Sequence, residues 1–332
     1  MNDSPPLSAS PPLVSVVIVN WNGQSFLERT LRALSAQTFR DFEIILIDNG
    51  STDDSLEGLE IRWPEVHLKR LHRNLGFAAA NNRGVALSRG DWIALLNNDA
   101  FPSPNWLETL VNAVRDHPEY TFFASCLLSL SQTDTIDGLG DAYHYTGYAW
   151  RQGHGRPLGK HPPASVEVFG PCAAAALYHR NDWLAAGGFD ESFFCYHEDV
   201  DLAFRLRLQG HRCLFLPEAV VEHVGSGSQG AASDFVRYHS HRNLVWTFVK
   251  NMPGFLFFLF LPAHLLLNLG TLGYFLLIGR GPVIWRSKRD AFRSLGRVWN
   301  QRRIIQKNRC IPARHILKVL NLRLFPRSGR GR

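Results

Sequence analysis

The sequence predicts an α/β protein built on a mostly parallel sheet with helices packed against it. Three observations predict it. Short β-branched and apolar runs alternate with segments of helical periodicity, the order of a parallel sheet and its crossover helices. Those runs are continuous in their apolar character, as in strands covered on both faces. Two of the first three end directly on polar, acidic turns, and in open α/β sheets ligands bind beyond the carboxyl ends of the strands.

Taken in order, residues 14–19 (VSVVIV) read as a buried strand followed by the turn Asn20-Trp21-Asn22-Gly23. Phe26, Leu27, Thr30, Leu31 and Leu34 recur at helical spacing. Residues 42–47 (FEIILI) form a second strand ending on Asp48-Asn49-Gly50-Ser51, and 92–96 (WIALL) a third ending on Asn97-Asn98-Asp99. Residues 106–115 read as a helix, 137–163 as a long loop rich in Gly, Tyr and His, and 169–178 and 212–217 as strands. Glu198–Leu208 reads as a helix with Leu202, Phe204 and Leu206 on its core face and Arg205 and Arg207 outside. There is no internal repeat.

Composition bounds the rest. The chain has 332 residues, 45% apolar and 20% charged, which suits a globular protein of one large or two modest domains. The net charge of +7 is unevenly spread. Residues 280–332 hold 16 Lys and Arg against one acid, Asp290, a net +15, which leaves −8 for residues 1–279. Before this basic tail, residues 255–278 run 24 residues without a formal charge. At about 1.5 Å per residue they are long enough for a hydrocarbon core of roughly 30 Å. An apolar run beside a basic tail points to anionic lipid rather than nucleic acid. Pro262 and the pair Gly270/Gly273 offer places to bend, giving a re-entrant hairpin or an in-plane helix pair. That arrangement keeps the tail on the same side as the residues that precede the apolar run, where basic flanks belong. Five cysteines with no Cys-x-x-Cys suggest neither a disulfide framework nor a zinc site. Residues 1–12, polar and Pro-rich, read as a disordered leader rather than a secretion signal.

Four places carry chemistry. Asp48 and Asp53 flank a strand-end turn where a carboxylate can accept the N–H of a uracil or thymine ring, although the same residues make a good turn unaided. Asp99 closes a third strand and can hold a divalent cation against a diphosphate. His197-Glu198-Asp199-Val200-Asp201 places more carboxylates at a helix start than capping requires, so one is a candidate base. His223 follows a strand, where either a structural or a ligand role fits.

Together, in this order, these signals resemble the family-two inverting glycosyltransferases, and most of all the rhamnosyltransferase-like branch of bacterial polysaccharide assembly. The likeness covers about residues 13–250. It rests on residues 16–22 (VVIVNWN), Asp48-Asn49-Gly50-Ser51-x-Asp53, Asn74-Leu75-Gly76-Phe77-Ala78, Leu96-Asn97-Asn98-Asp99, Gly187-Gly188-Phe189-Asp190-Glu191 and Glu198-Asp199-Val200-Asp201-Leu202. The resemblance implies a glycosyltransferase A-type fold in one domain over 13–250. A nucleotide-binding half (13–105) and an acceptor half (106–225) are followed by an apolar membrane segment (251–279) and a basic helical tail (280–332). It implies a donor site of Asn20, Asn22, Asp48, Asp53, Asn74, Gly76, Asn98 and Asp99, with Asp48 on the base. Asp99 and His223 would hold Mg²⁺ or Mn²⁺, and Asp199, with Glu198 beside it, would take the acceptor proton.

The implied reaction moves one sugar from a dTDP- or UDP-linked donor to a hydroxyl of a lipid-linked saccharide, at the cytoplasmic face of the cell membrane, with no nucleic-acid partner. Two departures bear on it. The usual first carboxylate of the Asp-x-Asp motif is Asn97, and the Gln-x-x-Arg-Trp motif of processive polymerases is absent, so a single transfer is expected. Rival readings fare worse. A dinucleotide-dependent dehydrogenase needs Gly-x-Gly-x-x-Gly where only Gly23 stands. A non-catalytic membrane adaptor with this fold has no need of the acid cluster.

Overall fold

The computed structural model describes residues 10–159, 163–225 and 233–323. Most of the expected leader and the end of the basic tail therefore lie outside the described residues.

The first apolar runs form strands as expected: β1 (Val14–Asn20), β2 (Phe42–Asp48) and, after β3 (Val66–Arg70), β4 (Trp92–Asn97). Helix α1 (Leu27–Ser35) follows β1, the single turn α2 (Leu59–Arg62) precedes β3, and α3 (Phe77–Leu87) leads into β4. Strand β1 pairs in parallel with β2 and β4, in a register that sets Asn20 opposite Asp48 and Val19 opposite Asn97. Three strands thus end level, and their polar turns meet on one edge. Alternate residues of β1 face opposite cores: Val16 and Ile18 pack with Leu31 of α1, and Val17 with Ala78, Ala80 and Val85 of α3.

The second half of the sheet is mixed. Short β5 (Ala100–Pro102), helix α4 (Trp106–Asp116) and β6 (Phe122–Ser129) lead to three brief strands, β7 (Ile136–Gly138), β8 (Asp141–Tyr143) and β9 (Ala149–Arg151). Then come β10 (Val166–Val168), β11 (Ala175–His179), α5 (Arg180–Ala185), α6 (Glu198–Leu208) and β12 (Cys213–His223). The sheet order is β10-β12-β6-β11-β4-β1-β2-β3, with β5 on β12 and β7 on β6. β11 runs antiparallel to both β4 and β6, joining the two halves.

Several expectations are corrected here. The segment 137–163, read as a loop, holds β7, β8 and β9, strands too short to show a period. The strand expected over 169–178 is confined to Ala175–His179, because the backbone before it turns to meet Asp141: Phe169 N donates to the Asp141 carbonyl (3.1 Å). Strand 212–217 continues through Pro217 to His223. Arg205 and Arg207 are buried, not outside. Arg205 pairs with Asp201 (2.9 Å) and donates to the Gly188 carbonyl (2.7 Å); Arg207 pairs with Glu167 (2.9 Å) and donates to the Phe169 carbonyl (2.6 Å). A buried charge is tolerated when paired and fully hydrogen-bonded; the Asp201–Arg205 spacing is that of a helix pair, but the partners at Gly188, Phe169 and Glu167 are beyond what spacing can reveal.

Helices α7 (Asp234–Asn251), α8 (Gly254–Leu277), α9 (Gly281–Arg293), α10 (Leu295–Lys307) and α11 (Ala313–Val319) complete the molecule. The expected bend inside 255–278 does not occur. α8 is one unbroken helix with Pro262 in its interior, and the chain reverses after it, at 278–280. Contacts on both sides of Pro262 hold it: Phe257 and His264 both lie on Phe248 of α7, with ring centroids 5.7 and 4.0 Å away. Farther along, Phe275 meets His241 at 5.3 Å, so α8 runs antiparallel to α7. The basic helices fold back on the domain. Cys310 N donates to the Leu208 carbonyl (2.9 Å), Asn321 N to the Tyr143 carbonyl (2.8 Å), and His144 Nε2 lies 2.7 Å from the Arg323 carbonyl.

Candidate active site

Where the level strand ends meet the start of α6, a cavity of about 510 Å³ opens. Asn74, Gly76, Asn98, Asp99, Glu198, Asp199 and His223, all singled out in the sequence, line it. Asn20, Asn22, Asp48 and Asp53 are not in its lining; they form the hydrogen-bonded support at the strand ends. Asn98 Nδ2 donates to Asn20 Oδ1 (2.8 Å), and Asn20 Nδ2 to Ser55 Oγ (2.9 Å). Ser51 Oγ donates to Asp48 (2.5 Å), and Thr52 N to Asn22 Oδ1 (2.8 Å). Asp53 receives Gln24 N (2.9 Å) and Ser55 Oγ (2.6 Å), tying two loops together. Gly76, at φ +89°, begins α3 under the Phe194 ring, where an added Cβ would stand 2.6 Å from it. Only glycine fits both the conformation and the space.

Asp99 and His223 face each other, His223 Nε2 lying 3.3 Å from Asp99 Oδ1. Strand pairing makes this contact: β5 follows Asp99 immediately and sets Ala100 opposite His223 of β12. On its other side His223 Nδ1 is 2.8 Å from Asp137 Oδ2. Burial works against charge on this imidazole, but the bonds to Asp137 and Asp99 outweigh it and raise its pKa to about 9. Asp137 is buried, yet bonds from His154 and His223 and the charge of Arg151, with which it is ion-paired, hold it well below the usual carboxylate range. Close by, Asn97 Oδ1 is buried without a partner. One carboxylate, one imidazole backed by a second carboxylate, and a spare amide oxygen suit a hard divalent cation completed by phosphate oxygens and water. Among the described residues no group of three His, Cys, Asp or Glu is placed to chelate a metal without such help.

The opposite wall carries the acids. Asp199 receives Ala173 N on Oδ2 (3.2 Å) and Val200 N on Oδ1 (2.8 Å). Burial pushes its carboxyl upward against those two bonds. Glu198 is buried with Oε2 unpartnered, and burial together with Asp199 drives it up further. Asp201, the third acid, is structural: fully buried, it binds Arg205, Lys250 (3.0 Å) and Asn251 (2.8 Å). Phe194, Tyr196 and His197 just before α6 all have positive φ (65°, 70° and 68°), strained backbone of the kind that accumulates at functional sites. Sequence reasoning missed Asp137, Asp141 and Arg151. Asp141 lines the cavity and is raised by burial and by Asp199, and Arg151 stands between this wall and Asp137. All three lie in the segment read as a loop, where no spacing marked them.

The model of "Glycosyl transferase family 2" matches residues 15–177. The N-acetylglucosaminyl-diphospho-decaprenol L-rhamnosyltransferase of Mycobacterium tuberculosis is 30% identical over 257 residues, 68% of this chain and 81% of that protein. The chain belongs to glycosyl transferase family 2. It resembles the rhamnosyltransferase-like branch, and an O-antigen biosynthesis protein of Myxococcus xanthus is 29% identical over 231 residues, 66% of this chain but 18% of that longer protein. In structure the transferase is similar to GalNAc-T7 with UDP, GalNAc and Mn²⁺, with a TM-score of 0.58 and 19% identity over 73% of this chain and 48% of that one. It is also similar to S. aureus TarS 1-349 in complex with UDP, with a TM-score of 0.53 and 16% identity over 72% and 66%. The fold is of the glycosyltransferase A type, as the sequence resemblance implied, and the protein is a sugar transferase.

Proposed function

We propose that the transferase moves a single sugar from a dTDP- or UDP-linked donor to a hydroxyl of a lipid-linked saccharide, inverting the anomeric centre. The observation that carries this reading is one cavity with a raised carboxyl, Asp199, on one wall and the Asp99–His223 pair on the other. The decaprenol-linked substrate in the name of the mycobacterial relative supports the acceptor class. Asp199 takes the acceptor proton as the hydroxyl oxygen attacks, and the burial that raises its carboxyl makes it a stronger base than an exposed aspartate. Asp99 and His223 would hold a divalent cation, Mg²⁺ or Mn²⁺, which would supply positive charge against that building on the leaving diphosphate. Asp137 fixes His223 so that Nδ1–H points away from that side. Asp48 accepts from both Ser51 Oγ and Ser51 N and still keeps a lone pair that can accept a base N–H.

The site of action is the cytoplasmic face of the membrane, where nucleotide sugars are made. The exposed apolar length of α8 supports this assignment. The test is donor hydrolysis and transfer with a panel of dTDP- and UDP-sugars, on a short prenyl-diphosphate GlcNAc acceptor, with Mg²⁺ or Mn²⁺. Transfer from one donor with inverted configuration, abolished by chelator, is expected. Retention of configuration, or no turnover of any sugar nucleotide by folded protein, refutes the reading.

A further inference from the structure

We propose that the cavity between the start of α8 and α10 binds the phosphate headgroup of an anionic membrane lipid, and that this contact lays α8 flat in the bilayer surface. This cavity, of about 390 Å³, is separate from the active site and is walled by Phe258 and Trp299 with Arg302, Arg303 and Arg309 around it. No ion pair joins any of these three guanidinium groups to a carboxylate among the described residues. Arg302 is buried and gives Nη1 to the carbonyls of Val249 (2.8 Å) and Met252 (2.6 Å). Arg309 Nη1 is buried with no partner. It points at Gly254, the first residue of α8, and would stand 3.6 Å from a Cβ placed there. An orphan charged donor on Arg309, guanidinium groups with no carboxylate partner and the positive end of a 24-residue helix converge on one small space. A phosphate answers all three.

The apolar surroundings select a lipid over a soluble phosphate. Phe258 is 69% exposed at the cavity wall, and the outward face of α8 continues it with Leu266 (70%) and Leu277 (89%). A lipid offers acyl chains to that face and phosphate to the arginines at once. The same helix does not stand across the bilayer, because its inner face is occupied along its length by Phe248 and His241 of α7. Packed against both is α9, which carries Arg286, Lys288 and Arg289. Inserting α8 upright would draw these charges into hydrocarbon. Flat, α8 lies in the interface with its exposed apolar face toward the acyl chains and its inner face on α7. Its far end then lies beside the start of α7, which supplies Phe235, Val236 and Ser240 to the active-site cavity. On the reading of the acceptor proposed above, a lipid-linked sugar reaches the site from that end.

The experiment measures flotation of the full chain with phosphatidylcholine vesicles, with and without phosphatidylglycerol, in the absence of sugar nucleotide, so its result is independent of the transfer reading. Arg303→Glu combined with Arg309→Glu should weaken binding to anionic vesicles by roughly tenfold or more. The same charge change placed on α11, Arg314→Glu with Lys318→Glu, should cost far less. Soluble glycerol phosphate should not displace the vesicles. Equal losses for the two pairs would reduce the effect to diffuse tail charge and overturn the site. Unchanged binding of the first pair would overturn it too, and displacement by glycerol phosphate would overturn the lipid assignment. If the first pair melts below wild type, Arg303→Gln with Arg309→Gln is read by the same criteria.

Discussion

Asp137 does for the candidate site what no motif announces. One carboxylate buried behind His223 holds the imidazole, pairs with Arg151 and stays ionised through both. Asp137→Asn keeps the shape and removes the charge. The Mn²⁺ concentration needed for half-maximal transfer is expected to rise about 10- to 100-fold; an unaltered requirement would confine Asp137 to a packing role. Asp199→Asn is expected to lower turnover about 10²- to 10⁴-fold while the dissociation constant for the donor, measured by calorimetry, stays within a few-fold of wild type. A variant with near-normal turnover would move the base elsewhere, Asp141 and Glu198 being the nearest alternatives in the cavity. Asp99, His223 and Asp199 were legible in the sequence because each sits at a strand end or helix start whose neighbours carry a recognisable order. Asp137, Asp141 and Arg151 were not, because they reach the cavity on strands of three residues each, and pairing that brief depends on tertiary partners rather than on local pattern.

Among the elements, α8 shows how far local signals reach. Its length and apolar character were plain in the sequence, but its proline and glycines pointed to a bend that packing on α7 overrides. His264 is central to that packing. It stacks on Phe248, lies 2.7 Å from the Thr146 carbonyl through Nδ1 and 3.1 Å from Asn268 Nδ2 through Nε2, a set of partners that fits the neutral tautomer. Burial lowers its pKa to about 4. A base depressed in the folded state stabilises above its unfolded pKa of about 6.5 and loses that contribution as pH falls toward 4. His264→Gln should therefore be less stable than wild type at pH 7.5, with the gap narrowing by about 2 kcal/mol at pH 5. Urea unfolding in detergent-free buffer at the two pH values checks this, and a gap independent of pH would show that the imidazole is charged or solvated in the fold. Helix α6 gives the converse lesson. Its apolar spacing located the helix correctly, whereas Arg205 and Arg207 were misplaced because what buries them comes from distant segments: the Gly188 carbonyl for Arg205, and Glu167 and the Phe169 carbonyl for Arg207.

For the molecule as a whole, three strands of the parallel half were readable because they are apolar and continuous, whereas the edge strand β3, half exposed and carrying Lys69 and Arg70, was not. The mixed half was not, since β11 reverses direction between β4 and β6 and the basic helices return to close the far side. That return ends on the active-site hairpin: Asn321 N bonds the Tyr143 carbonyl and His144 reaches the Arg323 carbonyl, two and three residues from Asp141. Asn321→Pro deletes the first of these bonds and should cost about 1–3 kcal/mol in unfolding free energy, with transfer reduced alongside; full stability would show that the clasp is incidental. The same clasp sets an order of events during synthesis. His144 and its partner are 179 residues apart, and at roughly 5–20 residues per second a ribosome needs about 10–40 s to cover that stretch. Throughout that interval the hairpin that carries the buried acid lacks the segment that closes on it, so the nascent enzyme can hold its parallel sheet well before it owns a finished active site.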